Sequence, residues 1–155
     1  MTSGTLDRTA APARSALQSV RPVMLLTLNV PFDVAAVEFA IDAACDAGAE
    51  LWICDAIPLA FENYSGHAAR QYAESLNRRH MSAVARRSRE LGVRTEQLVF
   101  HNRRPVAAAI EVAREQRVGL LVFGANRKAL GRFTFRRSVN RIRRDATCLV
   151  WTNEP

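Results

Sequence analysis

The densest chemistry in this chain is a run of arginines near its C-terminal end. From Arg127 to Arg144 there are eight bases (Arg127, Lys128, Arg132, Arg136, Arg137, Arg141, Arg143, Arg144) and no acid, with Phe133 and Phe135 set among them. Guanidinium groups grip phosphate oxygens in pairs and aromatic rings stack on bases, so the pattern suits an anionic polymer. It suits better a solvated helix face over core-facing phenylalanines, because no helix-turn-helix, zinc-finger or aromatic RNA-binding strand motif accompanies it. Nucleic acid is therefore the lesser expectation for Arg127, Lys128, Arg132, Arg136, Arg137 and Arg141, beside an acidic protein partner.

Other reactive residues do not converge. His67, His80 and His101 share no i, i+4 relation with one another or with a cysteine, so no metal site is expected. Cys45 on a helix, with Cys54 and Cys148 on strands, read as small buried hydrophobes. Ser65-Gly66-His67 lacks the strand-Gly-x-Ser-x-Gly-helix elbow that exposes a nucleophilic serine. Neither a Walker lysine loop nor a GxGxxG after the first strand is present, so kinase, GTPase and dinucleotide-dehydrogenase chemistry has no phosphate grip, and no enzyme activity is expected.

The 155 residues, 48% of them hydrophobic, suffice for one domain with its own core. Three cysteines with no CxxC pair point to a reducing, cytoplasmic setting. Apolar runs of about eight residues fall short of the roughly 20 that span a bilayer. The net charge of +7 is unevenly spread: residues 22 to 69 hold seven acids and no Lys or Arg, and residues 70 to 155 hold 19 bases and seven acids. Such a dipolar chain favours association between an acidic surface and a basic one, across subunits or with other proteins, with a strong dependence on salt. Residues 1 to 21, rich in Ala, Ser, Thr and Arg, have no apolar period and read as a disordered tail, with a mitochondrial targeting segment as the alternative.

The elements that must position these groups follow from periodicity. Val23 to Leu28, Leu51 to Cys54, Val93 to Phe100, Leu120 to Phe123 and Cys148 to Trp151 are short apolar runs, as in strands covered on both faces. Between them run helical stretches. Val34, Val37, Ile41 and Ala44 mark one, capped by Asp33 and stopped by Gly48. Tyr72, Leu76, Met81, Val84 and Leu91 mark a long second from about Ala68 to Leu91, and Val106, Ala109, Ile110 and Ala113 a third behind Pro105. A short fourth has Ser138 as its cap and Val139 and Ile142 inward. The alternation predicts an α/β domain over residues 22 to 155, an open five-stranded parallel sheet with helices on both faces. A chain that winds outward, returns to the centre and winds the other way has the order 3-2-1-4-5, with a ligand crevice where strands one and four part.

From Val99 to Val150 the sequence resembles the C-terminal half of a universal stress protein domain. The likeness rests on Ile110, Ala113, Leu120 to Gly124, Ser138-Val139 and Arg144 to Val150, and the first strand and helix from Met24 to Gly48 match in rhythm. It implies a Rossmann-like fold of the adenine nucleotide alpha hydrolase type and a homodimer. Family members that bind ATP carry Gly, two residues, Gly, nine residues, then Gly with Ser or Thr. Here that frame is Gly124, Arg127, Arg137 and Ser138, so two glycines have become arginines, and Asn29 replaces an Asp after strand one. Glycine in such a loop permits positive φ and lets N–H groups approach phosphate. Two arginines there predict lost or weakened ATP binding and no resident cofactor.

If an adenine nucleotide, ATP or cyclic AMP, is held as a regulator, the resemblance implies Asn29 and Asp33 at base and ribose. Gly124 and Arg127 would lie along the phosphates, with Arg137 and Ser138 at a helix N-terminus. The last strand, Cys148, Leu149, Val150 and Trp151, is an apolar edge that pairing with a second subunit would cover. The leading expectation is a non-enzymatic stress-response protein that acts as a dimer through protein association.

Overall fold

The computed structural model describes residues 20–59 and 67–154. The expected tail up to residue 19 and the loop from Asn63 to Gly66 lie outside the described residues. The elements are β1 (Val23–Thr27), α1 (Val34–Ala47), β2 (Leu51–Pro58), α2 (His67–Glu90), β3 (Thr95–Asn102), α3 (Pro105–Glu115), β4 (Leu120–Phe123), α4 (Arg127–Leu130), α5 (Arg132–Asp145) and β5 (Leu149–Thr152). The strands form one parallel sheet in the order 3-2-1-4-5, as the alternation of runs predicts.

All five residues of β1 are buried, because the central strand is covered on both faces. Its alternate side chains feed two cores. Met24 and Leu26 join Ile110, Ala113, Phe135, Val139 and Ile142 under α3 and α5. Val23 and Leu25 join Ala40, Ile41, Met81 and Ala85 under α1 and α2. Asp33 caps α1, its Oδ2 accepting from the Ala36 N–H at 3.0 Å, and Gly48 ends it at φ 63°. Among the described residues no helix is long and apolar enough to cross a membrane.

Five local expectations need correction. In α1, Val34 is 75% exposed and not part of the apolar stripe; Ala36 and Ala40 are buried with Ile41 and Ala44. Of the expected α2 stripe Met81 is buried and Val84 half-buried, but Tyr72, Leu76 and Leu91 are exposed; Asn77, Ala85 and Ser88 are buried beside Met81. Leu76 and Asn77 are about 100° apart on the helix, and the polar one turns inward because a buried carboxylate awaits it there. Strand β3 starts two residues later than expected, since Val93 N–H is still bonded to the Ser88 carbonyl in the turn that ends α2. Cys148 precedes β5 and is half-buried, and Cys45 is exposed, so only Cys54 is a buried hydrophobe; burial, then the neighbouring Asp55 charge, pushes its thiol up to about 12. Ser138 caps nothing: it is buried inside α5, which starts at Arg132 behind Gly131.

Candidate functional site at the joint of strands one and four

Past the end of β1 the chain turns sharply. Asn29 takes the left-handed conformation at φ 58°, a position an Asn tolerates better than most residues. Thr27 donates its hydroxyl to the Val30 carbonyl at 2.7 Å, which holds the turn closed. The two segments expected to part then meet. Phe32 and Ala125 form an antiparallel bridge, Asp33 N–H donates to the Gly124 carbonyl at 2.8 Å, and Asn126 N–H donates to the Pro31 carbonyl at 2.9 Å. The joint between β1 and β4 is laced by backbone where a ligand crevice was expected.

Gly124 is needed there, for a reason other than phosphate. Its φ is not in the positive range, but an added Cβ would stand 2.6 Å from Leu25 Cδ1 and 3.2 Å from the Phe32 ring. Side chains from both flanking segments thus fill the space that a small residue leaves.

The remainder of the glycine frame has become helix. Asn126 caps α4 by accepting from Ala129 N–H at 3.1 Å, and Gly131 at φ 95° breaks the chain and restarts it as α5. Phe135, Val139 and Ile142 recur at helical spacing and are all buried, so the helix runs N-terminally past Ser138. Arg127 lays its guanidinium over the Phe135 ring, 5.3 Å from the centroid, and is thereby tied to the core. Arg137 is exposed, and Ser138 lies about 9 Å along the axis from the start of α5, where no free N–H groups remain.

Of the six residues expected at a nucleotide, the structure therefore brings Asn29, Asp33 and Gly124 to the β1–β4 joint and sets Arg127 at the start of α4. Arg137 and Ser138 stand apart on α5. The sequence profile of the universal stress protein family matches residues 20–152.

The chain belongs to the universal stress protein family.

No curated protein sequence matches it. Among solved structures it is similar to a universal stress protein family member from Burkholderia pseudomallei, at 20% identity over 86% of this chain and 96% of that one, with a TM-score of 0.63. A universal stress protein from Archaeoglobus fulgidus in complex with dAMP is 13% identical over 85% and 96%, with a TM-score of 0.61. One from Arabidopsis thaliana with AMP bound is 14% identical over 84% and 90%, with a TM-score of 0.59.

Beside the joint, this universal stress protein holds a buried polar cluster that sequence reasoning missed. Asp55 in β2 is 1% exposed. Its Oδ1 accepts from the Asn29 backbone N–H at 2.7 Å, and its Oδ2 accepts from Asn77 Nδ2 at 2.6 Å. Burial raises the Asp55 carboxyl above the ordinary carboxylate range and the nearby Glu74 charge adds to this; the bonds from Asn77 and Asn29, and the charge of His101, act the other way. His101 Nε2 in turn lies 3.4 Å from Glu74 Oε1. Asn29 Oδ1 is buried with no hydrogen-bond partner among the described residues. The available signal was a charged residue in an otherwise apolar run, Cys54-Asp55-Ala56-Ile57, since such a residue on a central strand must find donors. Among the described residues no three His, Cys, Asp or Glu side chains converge as a metal site.

Proposed function

We propose that this universal stress protein is non-enzymatic and cytoplasmic, has lost the family's ATP site and acts by association as a homodimer through β5. The observation that carries the reading is the laced joint: the Phe32–Ala125 bridge and its two flanking hydrogen bonds occupy the switch point, and α5 replaces the loop that would cradle a triphosphate. The two arginines reinforce this, one packed on Phe135 and one on the outer face of a helix. The edge supports the dimer, because β5 is the last strand of the sheet and Leu149 on it is 75% exposed.

A second reading rests on Asn29 Oδ1. A buried acceptor without a donor among the described residues fits a ribose hydroxyl or a base amino group, and the similar structures from Archaeoglobus fulgidus and Arabidopsis thaliana hold dAMP and AMP. A nucleoside monophosphate needs no triphosphate cradle. Melting temperatures with ATP, ADP, AMP and cyclic AMP, together with sedimentation equilibrium, test both readings. A ligand at 100 times its dissociation constant adds roughly 2.7 kcal/mol. The leading reading expects a dimer and no response to any of the four; a rise with AMP or cyclic AMP alone replaces it with the second, and a rise with ATP overturns both.

A further inference from the structure

We propose that the outer face of α5, with the start of α3, is a binding site for single-stranded nucleic acid, in which Phe133 stacks on a base and the surrounding arginines hold the flanking phosphates. Phe133 and Phe135 are two residues apart on one helix, about 200° around its axis, so they cannot share surroundings. Phe135 is buried and packs on Phe123 with ring centroids 5.4 Å apart. Phe133 is 79% exposed. The core explains the first ring and leaves the second unexplained.

The ring stands at the head of a cationic stripe. Phe133, Arg136, Arg137, Asn140, Arg141 and Arg144 share one helix face, linked by three- and four-residue spacings along about 16 Å, and line an open hollow of 640 Å³. A second hollow, of 230 Å³, is lined by Arg103, Arg104 and the first residues of α3. Arg137 and Arg141 line both, which makes the surface continuous. Helix α3 begins with Pro105 and has no side-chain cap, so the partial positive charge of its N-terminus adds to the guanidinium groups.

Among the described residues little answers this charge. Asp145 is the single acid of α5, and it is already engaged by Arg144 at 3.1 Å with Arg141 Nε at 3.7 Å. Arg141 Nε, near that carboxylate, is buried with no hydrogen-bond partner among the described residues. Arg132, Arg136 and Arg137 have no carboxylate partner among the described residues. Forked donors suit phosphate, and seven of the eight bases from 127 to 144 are Arg. An accessible ring beside them suits an unpaired base better than a duplex, whose bases are stacked and out of reach.

Fluorescence anisotropy of the full chain with labelled oligothymidylate and oligouridylate of about 12 nucleotides tests the assignment. Binding is expected, with a log–log salt slope of about −3 if some four phosphates are neutralised at roughly −0.7 each. Phe133→Ala should weaken it roughly ten-fold, in line with stacking on a single base. Arg137→Gln should flatten the slope by about 0.7. Both side chains are exposed, so both variants should keep the parent melting temperature. No binding at about 50 mM salt overturns the proposal. So does unchanged affinity in Phe133→Ala, or equally tight binding of a duplex or of polyglutamate, which would leave a general polyanion or acidic-protein surface.

Discussion

Asn77, on α2, donates a 2.6 Å hydrogen bond to the carboxylate of Asp55, in the interior of the sheet. Burial raises the Asp55 carboxyl above its unfolded value, so the folded state holds the proton more tightly than the unfolded state does. Its contribution to stability is complete below pH about 4 and is lost as pH rises through the folded value. Asp55→Asn, whose new amide Asn77 can meet by turning its own, should flatten that fall. Urea midpoints at about pH 4.5 and 7.5 check this; equal pH dependence in parent and variant would contradict it.

Asn77→Leu acts in the opposite direction. It removes a donor from a buried carboxylate, a loss of about 1–3 kcal/mol. The loss should grow as pH rises and Asp55 gives up its proton, and shrink toward the acid side, where the carboxyl is held protonated by burial. A pH-independent loss would assign Asn77 to packing alone.

Gly124→Ala should destabilise by about 1–3 kcal/mol through overpacking, since the new Cβ meets Leu25 at 2.6 Å and the Phe32 ring at 3.2 Å. Thermal unfolding measures it. A neutral result would mean that the β1–β4 joint yields readily.

Restoring the family's glycines should not restore ATP binding. In the double variant Arg127→Gly, Arg137→Gly, Ser138 still lies within α5, and the second substitution adds about 1 kcal/mol of helix-interior cost. The expected result is a lower melting temperature with no response to millimolar ATP, by calorimetry and by thermal shift. Recovered binding would show that α5 unwinds on demand.

Leu149→Lys places a charge on the bare edge of β5 and should shift sedimentation toward monomer while leaving the monomer fold intact, because the residue is largely solvent-exposed. A sample already monomeric before substitution would remove the β5 dimer.

The sheet was legible because β1, β4 and the α3 stripe carry unambiguous periods, and a parallel order follows from alternation. The site was legible only in part. Gly124 is expected along the phosphates of a nucleotide, whereas the structure shows a close side-chain approach by Leu25 and Phe32 that no local pattern announces. The start of α5 was misplaced at Ser138 because the family frame outweighed the Phe135-Val139-Ile142 spacing, which already extended the helix. Asp55 and Asn77 are 22 residues apart. Their pairing exists only once α2 has docked, so neither residue looks unusual alone beyond a single charge in an apolar run.

The helix that supplies Asn77 is weakly anchored for its length. Among its described side chains, the deeply hidden ones are Met81 and Ala85 with the polar Asn77 and Ser88. Few large side chains oppose its lifting, so its amide protons should exchange sooner than those of β1 or α5. Each such opening would wet the Asp55 carboxylate, let it ionise freely and make reclosure slower in alkali than in acid.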